Sequence, residues 1–215
     1  MKLKNIIDSF SSFNTKECHA IWGEVSEPVQ IKKLDQAGIT SPDLRNQILD
    51  QLKVRPALLS HIAKEIFSLR GRCNFLEVGT AEGLQSITIA KTVVGSKVFT
   101  CDIRDVRHTS FHELTNTSFT LGDSKKLASE VTDNIDMCWI DGAHDHYSVV
   151  SDFLSILSLT DKETIWIFDD FDKRFGCWYD INVILQNFEE SCILELGSTA
   201  SGNPSAIALG IGFKK

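Results

Sequence analysis

The 215-residue sequence predicts an α/β fold: a doubly wound, mostly parallel sheet that ends in an antiparallel hairpin and follows a helical N-terminal segment. Three observations predict it. From Cys73 onward, short apolar runs alternate with turns and helical stretches, the pattern of βα units that build a parallel sheet. The first run leads straight into a glycine turn, Gly79 to Gly83, where a strand must reverse sharply into a helix. The last two apolar runs, 191–196 and 206–213, flank a stretch of Gly, Ser, Asn and Pro that suits a hairpin turn.

The elements follow in order. Residues 1–40 show weak periodicity, with Phe10, Phe13 and Trp22 as the expected buried anchors, and their pattern leaves a lid or a dimer arm open. Ser41-Pro42-Asp43 reads as a helix start: a capping serine, a proline at the first helical position and an acid in the first turn. Residues 55–70 place Leu58, Leu59, Ile62, Ala63, Ile66 and Phe67 on one helical face, closed by Gly71. Strands are expected at 74–78, 97–101, 118–121, 135–140 and 164–168, with a helix over 84–94 closed by Gly95. The chain is long enough for one core, so residues 1–71 read as a helical lid or packing segment and 72–215 as the main body of one compact domain.

Composition narrows the function classes. With 42% hydrophobic and 24% charged residues the chain reads as globular. The net charge of −7 opposes phosphate backbones, so nucleic acid is demoted as a partner. Six scattered cysteines, with no Cys-x-x-Cys pair, read as reduced and mostly buried thiols. No apolar run approaches the ~20 residues of a membrane span, and Asp8 interrupts any leader-like start, so a cytoplasmic protein without membrane contact is expected.

The stretch Phe75-Leu76-Glu77-Val78-Gly79-Thr80-Ala81-Glu82-Gly83-Leu84-Gln85-Ser86 carries the first chemical signal. Glycines at 79 and 83 let backbone come within contact distance of a ligand at a helix start. A dinucleotide would need Gly-x-Gly-x-x-Gly, but Ala81 and Glu82 interrupt that pattern, and the glutamate repels a pyrophosphate. The stretch resembles the first motif of the class I S-adenosylmethionine-dependent methyltransferases, and within them the catechol-type and antibiotic-sugar O-methyltransferases. The resemblance runs from about Cys73 to the C-terminus and implies a Rossmann-like sheet with the hairpin described above. It implies a cofactor site at Glu77, Gly79, Thr80, Gly83 and Ser86, with Glu77 orienting the cofactor's amino end and Ser86 its carboxylate. Asp102, 25 residues after Glu77, sits where a carboxylate can accept hydrogen bonds from ribose hydroxyls, and the resemblance implies that Asp123, with Ser124, meets the adenine.

The second signal lies after the fourth and fifth strands, in Asp141-Gly142-Ala143-His144-Asp145-His146-Tyr147 and Asp169-Asp170-Phe171-Asp172. Ligands in such sheets bind outside the carboxyl ends of the strands, so these acids converge with the glycine turn. Gathered carboxylates raise each other's pKa unless a cation or basic groups attend them. The cation-dependent O-methyltransferases, which this arrangement resembles, imply a magnesium site at Asp141, Asp169 and Asp170, with His144 in the place of that family's basic lysine. Asp141 and His144 are thus the expected catalytic residues, Asp141 also borders the cofactor, and an acid at Asp170 departs from the family's asparagine. His144 as a ligand stays open beside His144 as a base. His146 is expected to face solvent, Tyr147 to pack under the loop, and Trp178 and Tyr179 to face either the substrate or the core.

The resulting expectation is an O-methyltransferase acting on the hydroxyl of a small molecule, with a homodimer compatible with the sequence. A metal-independent enzyme acting on a protein or RNA, and a cofactor-binding module without catalysis, are the alternatives.

Overall fold

The computed structural model describes residues 2–198 and 204–214. The N-terminal segment folds as five helices in sequence: α1 (Leu3–Ser9), α2 (Lys16–Val25), α3 (Glu27–Gln36), α4 (Pro42–Leu52) and α5 (Val54–Arg70). The main body continues with β1 (Asn74–Val78), α6 (Leu84–Thr92), β2 (Lys97–Asp102), β3 (Thr117–Leu121), α7 (Ser124–Glu130), β4 (Ile135–Ile140) and α8 (Ser148–Ile156). It closes with β5 (Thr160–Phe168), α9 (Cys177–Leu185), β6 (Phe188–Ser198) and β7 (Pro204–Phe213).

The strands form one seven-stranded sheet in the order β3-β2-β1-β4-β5-β7-β6. The first five strands run parallel, and β7 pairs antiparallel with both β5 and β6. This is the doubly wound sheet and terminal hairpin expected from the sequence. The expected hairpin turn falls mostly on residues 199–203, which lie outside the described residues.

Burial explains why these strands read as apolar runs. Central parallel strands are covered on both faces and so need no polar alternation. Leu76, Cys138, Ile140, Trp166 and Phe168 pack on one face against α7, α8 and α9. Phe75, Met137, Trp139, Ile165 and Ile167 pack on the other against α1, α5 and α6. The apolar face read on α5 lies in that second layer, with Leu58, Leu59, Ile62, Ala63 and Ile66 buried, and Gly71 ends the helix in the left-handed conformation at φ +70°.

In the elements assigned from the sequence, the differences lie at ends and caps. The helix after the glycine turn stops at Thr92, two residues short of the expected end, and β5 begins at Thr160, which pairs with Ile135 ahead of a register shift between Ile135 and Met137. Ser41 occupies the capping position of α4, but its side chain makes no capping bond. Trp22 is buried with Leu34, Ile48 and Leu49 in a small cluster joining α2, α3 and α4, whereas Phe10 and Phe13 are only half-buried, stacked against each other beside His61. All six cysteines are free, and five of them are buried. Among the described residues no helix is long and apolar enough to cross a membrane.

Candidate active site

The site lies at the carboxyl ends of β1, β2, β4 and β5. The hydrogen-bond ladder continues one residue beyond the strands: the Asp141 N–H donates to the Val78 carbonyl at 2.9 Å and the Asp169 N–H to the Ile140 carbonyl at 3.0 Å. Both acids are therefore pinned to adjacent strands.

The turn from β1 into α6 needs glycine at Gly79 for two reasons. Its φ is +91°, and a Cβ there would stand 2.0 Å from the Asp141 carbonyl oxygen. The crowding comes from the neighbouring strand's backbone, where the sequence suggested a ligand. Gly83, at φ +85°, is the N-cap of α6 and would meet Phe111 if it carried a Cβ.

Two cavities open on this turn. The larger, about 600 Å³, is bordered by Gly79, Asp102, Ile103, Asp123, Ser124 and Asp152. Asp102 accepts the backbone N–H groups of Ala81 at 2.9 Å and Arg104 at 3.0 Å, which fixes its carboxylate at the cavity edge. Asp123 caps α7 by accepting the Lys126 N–H at 2.8 Å, so it serves as a helix cap as well as a lining residue. Asp152 is half-buried, bonded to Ser124, and burial pushes its carboxyl up. The sequence reading missed Asp152; its signal was the four-residue helical spacing from Ser148, which lines the same cavity.

The smaller cavity, about 150 Å³, lies between the glycine turn and the N-terminal helices, with Trp22, Gln30, Arg55, Glu77, Gln85 and Asp169 on its walls. Thr80 also lines it, its hydroxyl 2.6 Å from that of Thr100. Glu77 is 1% exposed and its carboxyl accepts the hydroxyls of Ser86 and Thr100. Burial pushes that carboxyl up to about 8. Ser86 is wholly buried and its hydroxyl donates to Glu77, so it positions the glutamate.

Asp141 borders both cavities. Beside it the His144 imidazole stands between two carboxylates, Nε2 at 3.3 Å from Asp141 and Nδ1 at 3.2 Å from Asp170. The hydrogen bond to Asp141 and the nearby acids push the imidazole above its ordinary value, against its partial burial. Burial pushes Asp141 up and raises Asp169 to about 8. Asp170 holds a left-handed φ of +49°, uncommon outside glycine, which turns its carboxylate back toward His144.

The expected trio of Asp141, Asp169 and Asp170 is rearranged. Donor atoms of Asp141, His144 and Asp170 lie within 4.8 Å of one another, whereas Asp169 is turned to Arg55, its Oδ1 3.0 Å from Nη2. Strand alternation explains this: Asp169 continues the face of Ile165 and Ile167, against which α5 packs. Arg55, in the first turn of α5, also reaches Ser205 at 3.0 Å, and had no signal in the sequence because nothing local marks its contact 115 residues away with Asp170. Two carboxylates and an imidazole fit a divalent cation. The oxygens suit Mg²⁺ or Mn²⁺, and the nitrogen adds compatibility with later first-row ions. Arg55 meets part of the charge the acids present, so the need for a metal is smaller than the acids alone imply.

Of the flanking residues, His146 is exposed as expected, but Tyr147 is 85% exposed and does not pack under the loop. Trp178 packs half-buried against the core beneath Phe171, while Tyr179 stands in solvent.

Residues 76–171 match the family model described as a methyltransferase domain. No curated protein matches the chain. Among solved structures, the cofactor-bound Rv0187 from MTB is similar over 86% of this chain and 96% of that one, with a TM-score of 0.62 at 13% identity. A protein designated an O-methyltransferase from Klebsiella pneumoniae covers 85% of this chain and 96% of its own, with a TM-score of 0.58 at 14% identity. The N-methyltransferase NodS from Bradyrhizobium japonicum WM9 covers 77% and 98%, with a TM-score of 0.60 at 12% identity. At these identities the likeness is one of fold, shared by proteins whose names differ in the atom methylated.

Proposed function

We propose, on the premise that the chain carries a methyltransferase domain on the class I S-adenosylmethionine-dependent fold, that it methylates a hydroxyl of a small molecule with a divalent cation as activator. The observation that carries this reading is the place of Asp141, on the wall of both cavities and 3.3 Å from His144. A donor lying across the two cavities would present its methyl group beside that pair.

Methyl transfer from a sulfonium expels a neutral thioether, so the leaving group needs no proton. What remains is to align the acceptor and to take up its proton. Alignment alone lowers such barriers by as much as about 7–11 kcal/mol. His144 is the proton acceptor in this reading, oriented by Asp141 and Asp170 and packed edge-on against Phe175 at 5.2 Å between ring centres. Asp141 and Asp170 would hold the cation, which when bound lowers the pKa of a coordinated hydroxyl. Asp169 joins them only where Arg55 releases it. Asp102, Asp123 and Ser124 border the cavity that suits the adenosine portion. The net charge of −7 favours a small acceptor over a phosphate backbone.

A second reading, a metal-independent transferase, is favoured by one observation: Arg55 already supplies a cation to Asp169 and Asp170. Calorimetric titration of S-adenosylmethionine with and without Mg²⁺ or Mn²⁺, followed by transfer of labelled methyl to catechols and vicinal diols, tests both. Absence of cofactor binding sinks the proposal, and full transfer in excess EDTA leaves only the second reading.

A further inference from the structure

Asp169 and Asp170 are neighbours in sequence but turn their carboxylates to different places. Asp170, at its left-handed φ of +49°, brings Oδ2 to 3.2 Å from His144, in the group whose donor atoms lie together with Asp141. Asp169 stays on the face of β5 that α5 covers and lines the smaller cavity.

One oxygen of Asp169 is engaged twice. Its Oδ1 accepts the Asp170 backbone N–H at 2.8 Å and stands 3.0 Å from Arg55 Nη2. The same Nη2 donates to the Ser205 hydroxyl at 3.0 Å and lies 3.5 Å from Asp170 Oδ1. For Asp169 to turn toward Asp141 and His144, Oδ1 must leave both of its partners, and the guanidinium keeps only a hydroxyl and the longer contact to Asp170.

Charge opposes that exchange. The side chains of Arg55 and Asp169 are 17% and 7% exposed. A guanidinium stays charged in proteins, so it cannot be relieved by losing a proton as a buried lysine can. A divalent ion that drew Asp169 away would strand this charge in a buried place. Water fills a ligand position without that cost, and hard divalent ions keep several waters when bound to proteins.

We propose that Arg55 is the resident counter-charge of Asp169 and holds that carboxylate out of the cation site. The ion then has Asp141 and Asp170 as its protein carboxylates, and one more exchangeable position for water or acceptor than three carboxylates would leave. The proposal rests on the cation reading given above. It makes Arg55, on the N-terminal side of the chain, the residue that sets how many protein oxygens the ion receives.

The test uses Mn²⁺ alone on the full chain, with water-proton relaxation to count the waters left on the bound ion and electron paramagnetic resonance for affinity. Asp169→Asn is expected to leave the count unchanged, and Asp170→Asn to raise it by about one. Arg55→Met, which frees Asp169, is expected to lower the count by about one and to tighten Mn²⁺ about tenfold. Counting waters separates a lost ligand from a lost charge, since a nearby charge alters affinity without entering the coordination shell. If Arg55→Met does not fold, the two asparagine variants carry the test. A count raised by Asp169→Asn as much as by Asp170→Asn makes Asp169 a ligand and overturns the proposal while the cation reading stands. An unchanged count in folded Arg55→Met overturns it too. If the unaltered protein binds no Mn²⁺, the cation reading itself has failed, and this proposal with it.

Discussion

Arg55 Nη2 lies 3.0 Å from Asp169 Oδ1, an ion pair that ties the first turn of α5 to the end of β5, with Asp169 only 7% exposed. Removing one partner of a buried pair leaves a charge without compensation. Arg55→Leu is expected to cost about 3–5 kcal/mol at pH 8.5. The loss is smaller at pH 6, where the stranded carboxylate takes up a proton. Denaturant unfolding of both proteins at the two pH values checks this, and a loss that does not grow with pH contradicts the pairing.

The ligand-free protein should lose stability as pH rises. Glu77 and Asp169 are each raised to about 8 by burial, far above an unfolded carboxyl, so the folded state binds more protons. Their contribution is fully present below about pH 4 and is lost as pH climbs through 8, by up to about 1.4 kcal/mol per pH unit for each group. Unfolding midpoints at pH 6 and 8 measure the slope, and Glu77→Gln should remove its share. A midpoint that climbs with pH would contradict the raised titration of these two carboxyls.

His144 is read as the base, so His144→Gln should lower kcat by about 10²–10⁴ with little change in cofactor affinity. The acid limb of the pH–rate profile, set above an ordinary imidazole by Asp141 and its neighbours, should disappear in the variant. Retention of that limb would assign it to another group.

The cation site is checked by binding alone. Asp141→Asn and Asp170→Asn should each weaken Mn²⁺, followed by electron paramagnetic resonance, by about tenfold or more. His144→Gln should retain Mn²⁺ affinity if the imidazole is a base; an equal loss there would make it a ligand.

Gly79→Ala should damage both cavities. The new Cβ would stand 2.0 Å from the Asp141 carbonyl in a backbone region that costs a non-glycine residue about 1–2 kcal/mol. A lowered melting temperature together with lost S-adenosylhomocysteine binding is the expected outcome, and unchanged binding would show that the turn tolerates the shift.

Much of the fold was legible because its signals are local. The five parallel strands announce themselves as apolar runs since helices cover both sheet faces, and the turn at Gly79 announces itself since only glycine adopts its backbone without strain. The candidate site was legible as a set of strand-end acids. Phe10, Phe13 and Tyr147 were misplaced because their burial depends on which surface arrives opposite them.

By itself, then, the sequence determined the sheet, the glycine turn and the convergence of Asp102, Asp123, Asp141, Asp169 and Asp170 at one edge, all consequences of backbone geometry along single elements. Only the tertiary structure decided how the side chains divide: Ser86 to Glu77, Asp169 to Arg55, and Asp170 with Asp141 to His144. Those pairings join helix to strand or one strand end to the next. They depend on side-chain direction and on the approach of distant segments, which no periodicity within a segment encodes.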